Sequence, residues 1–116
     1  MKCIVTGGAG FIGSNLVNRL IGDGHDVSVI DDLSTGKEEN INPKAKFFKK
    51  DISNINGLWA YQIDEIFEGV DVVFHTAAKA RVQPSIENPI EFNNVNVTGT
   101  LNILKACVDY GVSRFI

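Results

Sequence analysis

Three glycines spaced by three residues stand near the start of the chain, at Gly7, Gly10 and Gly13. The same run also contains the pattern G-x-G-x-x-G, through Gly8, Gly10 and Gly13. Glycine permits a tight turn with positive φ and, lacking a Cβ, lets a phosphate approach the backbone. A helix that begins directly after the turn adds free N–H groups and a partial positive charge. The spacing therefore predicts a loop that binds the pyrophosphate of a dinucleotide, and a purely structural turn is the alternative.

A carboxylate stands where a ribose ligand is expected. Asp31 follows Gly13 by 18 residues and can accept hydrogen bonds from ribose hydroxyl groups, whereas it would repel a 2′-phosphate. Asp32 doubles the negative charge, and the loop that follows contains no arginine. These residues favour NAD over NADP, although an Asp-Asp pair would also suit a simple turn.

The elements that must position these residues alternate along the chain. Short apolar runs predict strands at residues 2–6, 26–31, 45–49 and 70–75, and a fifth from residue 112 onward. Apolar residues at spacings of three and four predict a helix at 11–23 and another from Pro89 to about Tyr110. Asn88 is expected to cap the latter helix with its side chain. The segment 53–69 suits a helix only in its second half, because Gly57 and neighbouring asparagines disfavour one before it.

This alternation predicts an α/β fold, a doubly wound parallel sheet covered on both faces. Right-handed crossovers then give the spatial strand order 3-2-1-4-5. In such sheets a ligand binds beyond the carboxyl ends of the strands, where the winding reverses between strands one and four.

Composition narrows the class of protein. The 116 residues suit one domain, and 44% hydrophobic with 22% charged residues is typical of a globular chain. A net charge of −3 without a basic stripe argues against nucleic acid, and no apolar run approaches the roughly 18 residues of a membrane helix. Cys3 and Cys107 lack ligand spacing, so reduced core cysteines of a cytoplasmic protein are expected and no metal site is.

Five stretches occur in a characteristic order: TGGAGFIGSNL, VIDDLSTG, KKDI, VFHTAAKARVQPS and NPIEFNNVNVTGTLNIL. Over nearly the whole chain they resemble the extended short-chain dehydrogenases/reductases, in the branch of NAD-dependent sugar-nucleotide epimerases and dehydratases, and above all the UDP-glucose 4-epimerases. The resemblance implies an NAD-binding Rossmann fold. It also implies a sugar nucleotide as the substrate of the complete protein, and a homodimer of that protein formed through the helix that begins at Pro89.

The resemblance further implies roles for individual residues on the adenosine side. Phe11 and Ile12 would give backbone N–H groups to the pyrophosphate. Asp51 and Ile52 would lie beside the adenine, where a helix cap and a core residue are the alternatives. The adenosine ribose would be surrounded by residues 31–36, which include Asp31, Asp32, Ser34, Thr35 and Gly36.

On the other side, residues 76–80 would pass beneath the nicotinamide half of NAD, where Ala77 and Ala78 keep the backbone accessible. Lys79 stands one position before the family's lysine and would contact the ribose. Asn96 matches the asparagine that the family carries on the following helix. The remaining positions are Arg81 and Ser85, which could touch the substrate or be loop residues, and His75, which is expected to be structural rather than a catalytic base.

The family's hydride chemistry needs a Ser or Thr and, on the next helix, a Tyr four residues before a Lys. Here Tyr61 precedes Glu65, and Tyr110 precedes Arg114 beyond the helix-ending glycine, so both tyrosines are expected to pack. We therefore expect residues 1–116 to be a partial domain, the amino-terminal part of such an epimerase, ending within strand five and inactive alone. A stand-alone dinucleotide-binding module, or the same part of a sugar-nucleotide 4,6-dehydratase or decarboxylase, is the alternative.

Overall fold

A parallel sheet of five strands forms the centre of the computed structural model, which describes residues 1–54, 59–80 and 82–116, without the side chains of 59–61, 82 and 83. The strands are β1 (Lys2–Thr6), β2 (Asp26–Asp31), β3 (Lys46–Lys49), β4 (Val72–His75) and β5 (Arg114–Phe115). They lie in the order β3-β2-β1-β4-β5, and every neighbouring pair is parallel. The predicted α/β class and strand order are confirmed.

Burial follows the position of each strand in the sheet. β1 and β2 are central, and their apolar side chains are buried on both faces, as in other parallel sheets. At the edge, β3 buries only Phe48. The register pairs Thr6 with Ile30 on one side and with His75 on the other. Because the three strands end level, the loops that follow them meet at one edge of the sheet.

Helices cover both faces of this sheet. They are α1 (Phe11–Gly22), α2 (Trp59–Phe67), α3 (Val82–Glu87), α4 (Pro89–Asn93) and α5 (Thr100–Asp109), and a 3₁₀ turn spans Glu38–Asn40. Helix α1 packs Val17 against Val5 and Val29 on one face. Helices α2 and α5 pack Phe67 and Ile103 against the other.

The long helix predicted from Pro89 to Tyr110 has the expected extent but not a uniform winding. Residues Asn94–Gly99 between α4 and α5 form a π-helix, in which hydrogen bonds span five residues rather than four. Gly99 lies against Ile52 so closely that a Cβ at residue 99 would stand 2.7 Å from the Ile52 Cγ1. The absent side chain thus lets the π segment approach the turn that follows β3.

One local prediction ahead of this helix, and one alternative for a second residue, are wrong. Asn88 makes no side-chain capping bond, because its backbone, with ψ 60°, departs from the extended conformation that a capping residue adopts. Helix α3 ends directly before it, and the Asn88 N–H donates to the Pro84 carbonyl at 2.9 Å. Ser85 was expected either to touch the substrate or to be a loop residue, and the loop alternative is wrong because Ser85 lies within α3. Arg81 and Gly57 fall outside the described residues.

The two cysteines lie in the core, as expected. Cys3 and Cys107 are free and buried, and burial raises the pKa of both thiols. Among the described helices, none combines the length and the apolar character that crossing a bilayer requires.

Candidate dinucleotide-binding site

A cleft opens at the edge of the sheet where β1, β2 and β4 end. It is lined by eleven of the predicted site residues, namely Gly7, Gly10, Asp31, Asp32, Ser34, Thr35, Asp51, Ile52, Ala77, Ala78 and Lys79, together with Ile30, Lys50, Thr76 and Val95. The segments that follow β1, β2, β3 and β4 therefore converge on one surface, at the point where the winding of the sheet reverses.

The loop after β1 is too tightly folded to hold side chains. Gly7 has φ +74°, and a Cβ there would lie 2.8 Å from the Ala77 nitrogen. A Cβ on Gly13 would stand 2.2 Å from the Gly7 carbonyl oxygen, closer than atoms in contact can come. The glycines therefore let the first turn of α1 rest directly on the turn that precedes it.

The amino terminus of α1 is open to a ligand. The helix begins at Phe11, and the residue before it, Gly10, has no side chain that could cap it. The first N–H groups of a helix have no partner within the helix, so those of Phe11, Ile12 and Gly13 can donate to an anion. The side chains of Phe11 and Ile12 are themselves exposed, so these residues can serve the cleft through the backbone.

Asp31 ties two loops together. Its Oδ2 accepts the Ala9 N–H at 2.9 Å, and its Oδ1 accepts the Leu33 N–H at 2.8 Å. Charge-assisted bonds of this kind are about twice as strong as neutral ones. The carboxylate thus shapes the phosphate loop in addition to facing the cleft, a role that the sequence did not indicate.

Ala9 is held from its other side as well. Its carbonyl oxygen accepts the Asn40 Nδ2–H at 3.2 Å and the Lys37 N–H at 3.4 Å. A Cβ on Gly36 would lie 2.7 Å from Ala9, so Gly36 contributes by close packing rather than by lining the cleft. Asn40 is a positioning residue that the sequence analysis missed, since an asparagine after an Asp-rich loop looks like any turn residue.

The loop after β2 contains one strained residue. Leu33 has φ +62°, in the left-handed region that costs a non-glycine residue about 1 kcal/mol or more. The Asp31 bond to the Leu33 N–H and the Asp32 Oδ1 bond to the Ser34 N–H, at 2.8 Å and 2.9 Å, stabilise this conformation. Strain of this kind tends to occur where a loop must keep one shape for a ligand.

Asp51 and Ile52 combine a cleft position with the structural roles that were the alternatives. The Asp51 Oδ1 accepts both the Ser53 N–H and the Ser53 hydroxyl, at 2.9 Å and 2.7 Å, and so stabilises the turn after β3. Ile52 is only 5% exposed and belongs to the apolar core that it shares with Ile103. Both nevertheless present part of their surface to the cleft.

The segment after β4 is held by Asn96 and Glu91. The Asn96 side chain accepts the Lys79 N–H at 2.8 Å and donates to the Lys79 carbonyl at 2.9 Å. The Lys79 ammonium lies 3.2 Å from a Glu91 carboxylate oxygen. Asn96 therefore acts on the backbone of the cleft wall, and the Lys79 charge is paired with α4.

His75 ends β4 beneath this segment. Its Nδ1 lies 2.7 Å from the Thr6 hydroxyl and its Nε2 lies 2.8 Å from the Thr100 hydroxyl. Burial lowers the pKa of His75, because the protonated ring loses more hydration than the neutral ring does. The ring thus bridges β1 and α5 and does not line the cleft.

No residue described here replaces the missing catalytic pair. Tyr110 packs on Phe67 with 6.0 Å between ring centroids and donates its hydroxyl to Asp64, which raises the pKa of Tyr110 to about 12. Arg114 lies in β5 rather than on the same helix. The side chain of Tyr61 is outside the described part, and within that part no group of three metal-ligating side chains occurs.

A family model and individual relatives match this chain. The model of the NAD dependent epimerase/dehydratase family matches residues 3–116. The chain belongs to this family. It is 38% identical to a UDP-glucose 4-epimerase of Lactobacillus helveticus and 41% identical to one of Mycolicibacterium smegmatis. Each match covers 100% of this chain but only 34% and 37% of the relative, so the chain spans about a third of these proteins.

This chain is also similar to solved structures and to a second class of enzyme. UDP-glucose 4-epimerase of Thermus thermophilus, in complex with NAD, superposes with a TM-score of 0.90 at 42% identity, over 99% of this chain and 36% of that one. The Thermotoga maritima enzyme with UDP-glucose gives 0.90 at 40% identity, with the same coverage of 99% and 36%. UDP-glucuronic acid decarboxylase 1 of Arabidopsis thaliana is 38% identical over 100% of this chain and 25% of that protein.

Substitution of two glycines in α1 tests the close contact between the first turn of this helix and the preceding loop. Gly13→Ala forces the Gly7 carbonyl to move and is expected to lower the free energy of unfolding by about 1–3 kcal/mol. Gly22→Ala, where nothing lies within 4 Å of the new Cβ, is expected to raise it by roughly 0.5–1 kcal/mol. Urea denaturation of the three proteins measures both changes, and equal effects of the two substitutions would contradict the geometry.

The environment of His75 predicts a pH dependence of stability. Because burial places the pKa of the folded state below that of the unfolded chain, near 6.5, the unfolded state binds the proton more readily. Stability contributed by neutral His75 is therefore full above that pH and is lost as the pH falls toward the pKa of the folded state. Urea denaturation should show the difference in unfolding free energy between the wild type and His75→Gln shrinking from about pH 7.5 to about pH 5.5. His25 is present in both proteins, so its contribution cancels in the difference between their unfolding free energies. A difference that stays constant between these pH values would contradict the buried environment of His75.

Proposed function

We propose that this chain is the amino-terminal, NAD-binding portion of a UDP-glucose 4-epimerase-like enzyme. The observation that carries the proposal is a single cleft that joins three parts. Gly7 and Gly10 of the loop that leads into α1 line it, Asp31 lies on the β2 side, and the segment 76–79 lies on the β4 side. A dinucleotide that crosses the point of reversal in a doubly wound sheet needs these three parts in this order.

The residues fit the cofactor piece by piece. The Phe11 and Ile12 N–H groups would hold the pyrophosphate beside a turn in which Gly7 and Gly13 have no room for a Cβ. The adenosine ribose would lie against Asp31 in the loop with Asp32, Ser34, Thr35 and Gly36, and the adenine beside Asp51 and Ile52. The nicotinamide half would lie over Ala77, Ala78 and Lys79, with Asn96 supporting that wall. When bound, NAD supplies a hydride acceptor for a sugar hydroxyl carbon.

The charge of the ribose end supports NAD rather than NADP. Asp31 and Asp32 are both carboxylates that line the cleft. A 2′-phosphate would meet two negative charges there, whereas ribose hydroxyl groups can donate to the free lone pairs of Asp31. The preference for NAD therefore comes from repulsion of the NADP phosphate as well as from hydrogen bonds to the NAD ribose.

Epimerisation itself belongs to the longer protein in this proposal. The chain spans about a third of its relatives and lacks the Tyr-x-x-x-Lys pair, so it is expected to be inactive alone. The similarity to a UDP-glucuronic acid decarboxylase keeps a decarboxylase or dehydratase as the second candidate, since the NAD half-site serves each reaction equally. A stand-alone binding module is the third.

The proposal extends to location and partners. Two free cysteines with buried thiols suit the reducing cytoplasm. The net charge of −3 gives no basis for binding nucleic acid, and no membrane partner is proposed.

Calorimetric titration of the chain tests the proposed ligand. We expect weak binding of NAD, weaker binding of NADP, and no binding of UDP-glucose. Asp31→Ala removes ribose acceptors and the tie to Ala9, and is expected to weaken NAD binding by about 10-fold or more, the equivalent of roughly 1.4 kcal/mol.

Asp26→Ala provides the control for that titration, because Asp26 is exposed at the opposite end of the same strand. It should leave the affinity for NAD unchanged. Tight binding of UDP-glucose by this chain, or an Asp31→Ala protein that binds NAD as tightly as the wild type, would defeat the proposal.

We also propose that the longer protein is a homodimer formed through the exposed face of the helix at 94–109. Val97, Leu101 and Val108 are 60%, 63% and 78% exposed on that face, and Leu104 is 39% exposed. A stripe of large apolar side chains left in water is typical of a surface that another helix covers. The family resemblance independently implies an interface at this helix.

A charge placed in this stripe should disrupt such a dimer. In the longer protein, Leu101→Glu is expected to shift sedimentation equilibrium from dimer to monomer, because it would bury an unpaired carboxylate. Arg19→Glu, on the highly exposed end of α1, changes charge elsewhere and should leave the dimer intact. A Leu101→Glu protein that remains fully dimeric would place the interface on another surface.

A further inference from the structure

A chain of hydrogen bonds runs beneath the cleft from β1 to α5 through the ring of His75. The Thr6 hydroxyl lies 2.7 Å from Nδ1, and the Thr100 hydroxyl lies 2.8 Å from Nε2. Thr6 is fully buried, and the ring also stacks near Phe115 of β5, with 5.5 Å between centroids. The ring thus contacts β1 and β5 of the sheet and α5, the helix that covers it.

The outer partners determine the direction of each bond. The Thr100 hydroxyl donates to the Asn96 carbonyl at 2.7 Å, so its oxygen must accept from the His75 Nε2–H. Neutral imidazole then has an unprotonated Nδ1, which accepts from the Thr6 hydroxyl. The Thr6 oxygen in turn accepts the Ala77 N–H at 3.2 Å. With this one tautomer, both ring nitrogens of His75 and both threonine hydroxyl groups have a hydrogen-bond partner.

Both ends of this series of hydrogen bonds lead to the same segment of the cleft wall. At one end, the Ala77 N–H bonds to Thr6, and the Thr76 N–H bonds to the Thr6 carbonyl at 3.1 Å. At the other end, Thr100 is bonded to Asn96, whose side chain holds the backbone of Lys79. The backbone of residues 76–79 is therefore suspended between two points that the His75 ring connects.

We propose that His75, held as the Nε2–H tautomer by Thr6 and Thr100, is a positioning residue for the second nucleoside of the dinucleotide. The inference rests on the proposed binding of NAD. With Asp31 on the β2 side of the phosphate loop, the other nucleoside must cross to the β4 side. There it lies on the backbone of residues 76–79, whose position the ring sets. His75 acts through this backbone and does not touch the ligand.

A comparison of NAD with ADP binding distinguishes a positioning role of His75 from a role in the stability of the fold alone. ADP keeps the adenosine and pyrophosphate of NAD but lacks the second nucleoside. Thr100→Val removes the hydroxyl at similar volume. It is expected to weaken NAD binding by roughly tenfold, as the loss of one hydrogen bond would, and to change ADP binding by less than about twofold.

Rescue and control variants sharpen the comparison. Thr100→Ser restores the hydroxyl and should restore the affinity for NAD. Thr98→Val makes the same change in the π segment but outside the chain of bonds, and should leave both affinities unchanged. Equal weakening of NAD and ADP by Thr100→Val, or no weakening of either, would overturn the inference.

The tautomer gives an independent test on the unmodified chain. Nitrogen-15 NMR of the His75 ring should show a protonated Nε2 and an unprotonated Nδ1 at neutral pH. An Nδ1–H tautomer would reverse both threonine bonds and overturn the inference even if Thr100→Val failed to fold. A wild-type chain that binds ADP but not NAD would instead defeat the proposed function.

Discussion

The close approach of the first turn of α1 to the loop that precedes it is the constraint on which the site depends. Gly13 rests on the Gly7 carbonyl at a distance that no side chain would permit. This contact aims the amino terminus of α1 at the cleft and brings the loop against Ala77. Because the same short turn joins β1, α1 and the wall after β4, a shift of the loop would displace all three.

Polar groups around this contact both hold the loops in place and lie at or beside the cleft. Asp31 faces the cleft, yet both of its oxygens hold backbone N–H groups of neighbouring loops. Asn96 and His75 hold the opposite wall in the same manner, through bonds to backbone or hydroxyl groups. The site is therefore preorganised by bonds that exist before any ligand arrives, which reduces the ordering that binding would require.

The fold and the centre of the cleft follow from local patterns. Apolar runs predicted the strands and their order, and glycine spacing with the Asp at the end of β2 predicted the glycine loop and the acidic side of the cleft. The other predicted residues that line the cleft, among them Asp51, Ala77 and Lys79, came from the family resemblance. The errors lie where neighbours in space override local preference. Asn88, which directly follows α3, has a backbone conformation other than the extended one of a capping residue, and the helix at 94–99 takes a π form beside Ile52. The tie from Asn40 to Ala9 spans 31 residues and has no local signature.

The sequence alone determined which chemistry could be present: glycines for a phosphate, carboxylates for a ribose, and no Tyr-x-x-x-Lys pair for hydride transfer. These depend on residue type and short spacing, which the chain displays directly. Only the tertiary structure decided how those residues are held. The partners of Asp31, His75 and Asn96 lie 17 to 69 residues away in several cases, and such contacts exist only once the parallel strands bring their carboxyl ends together.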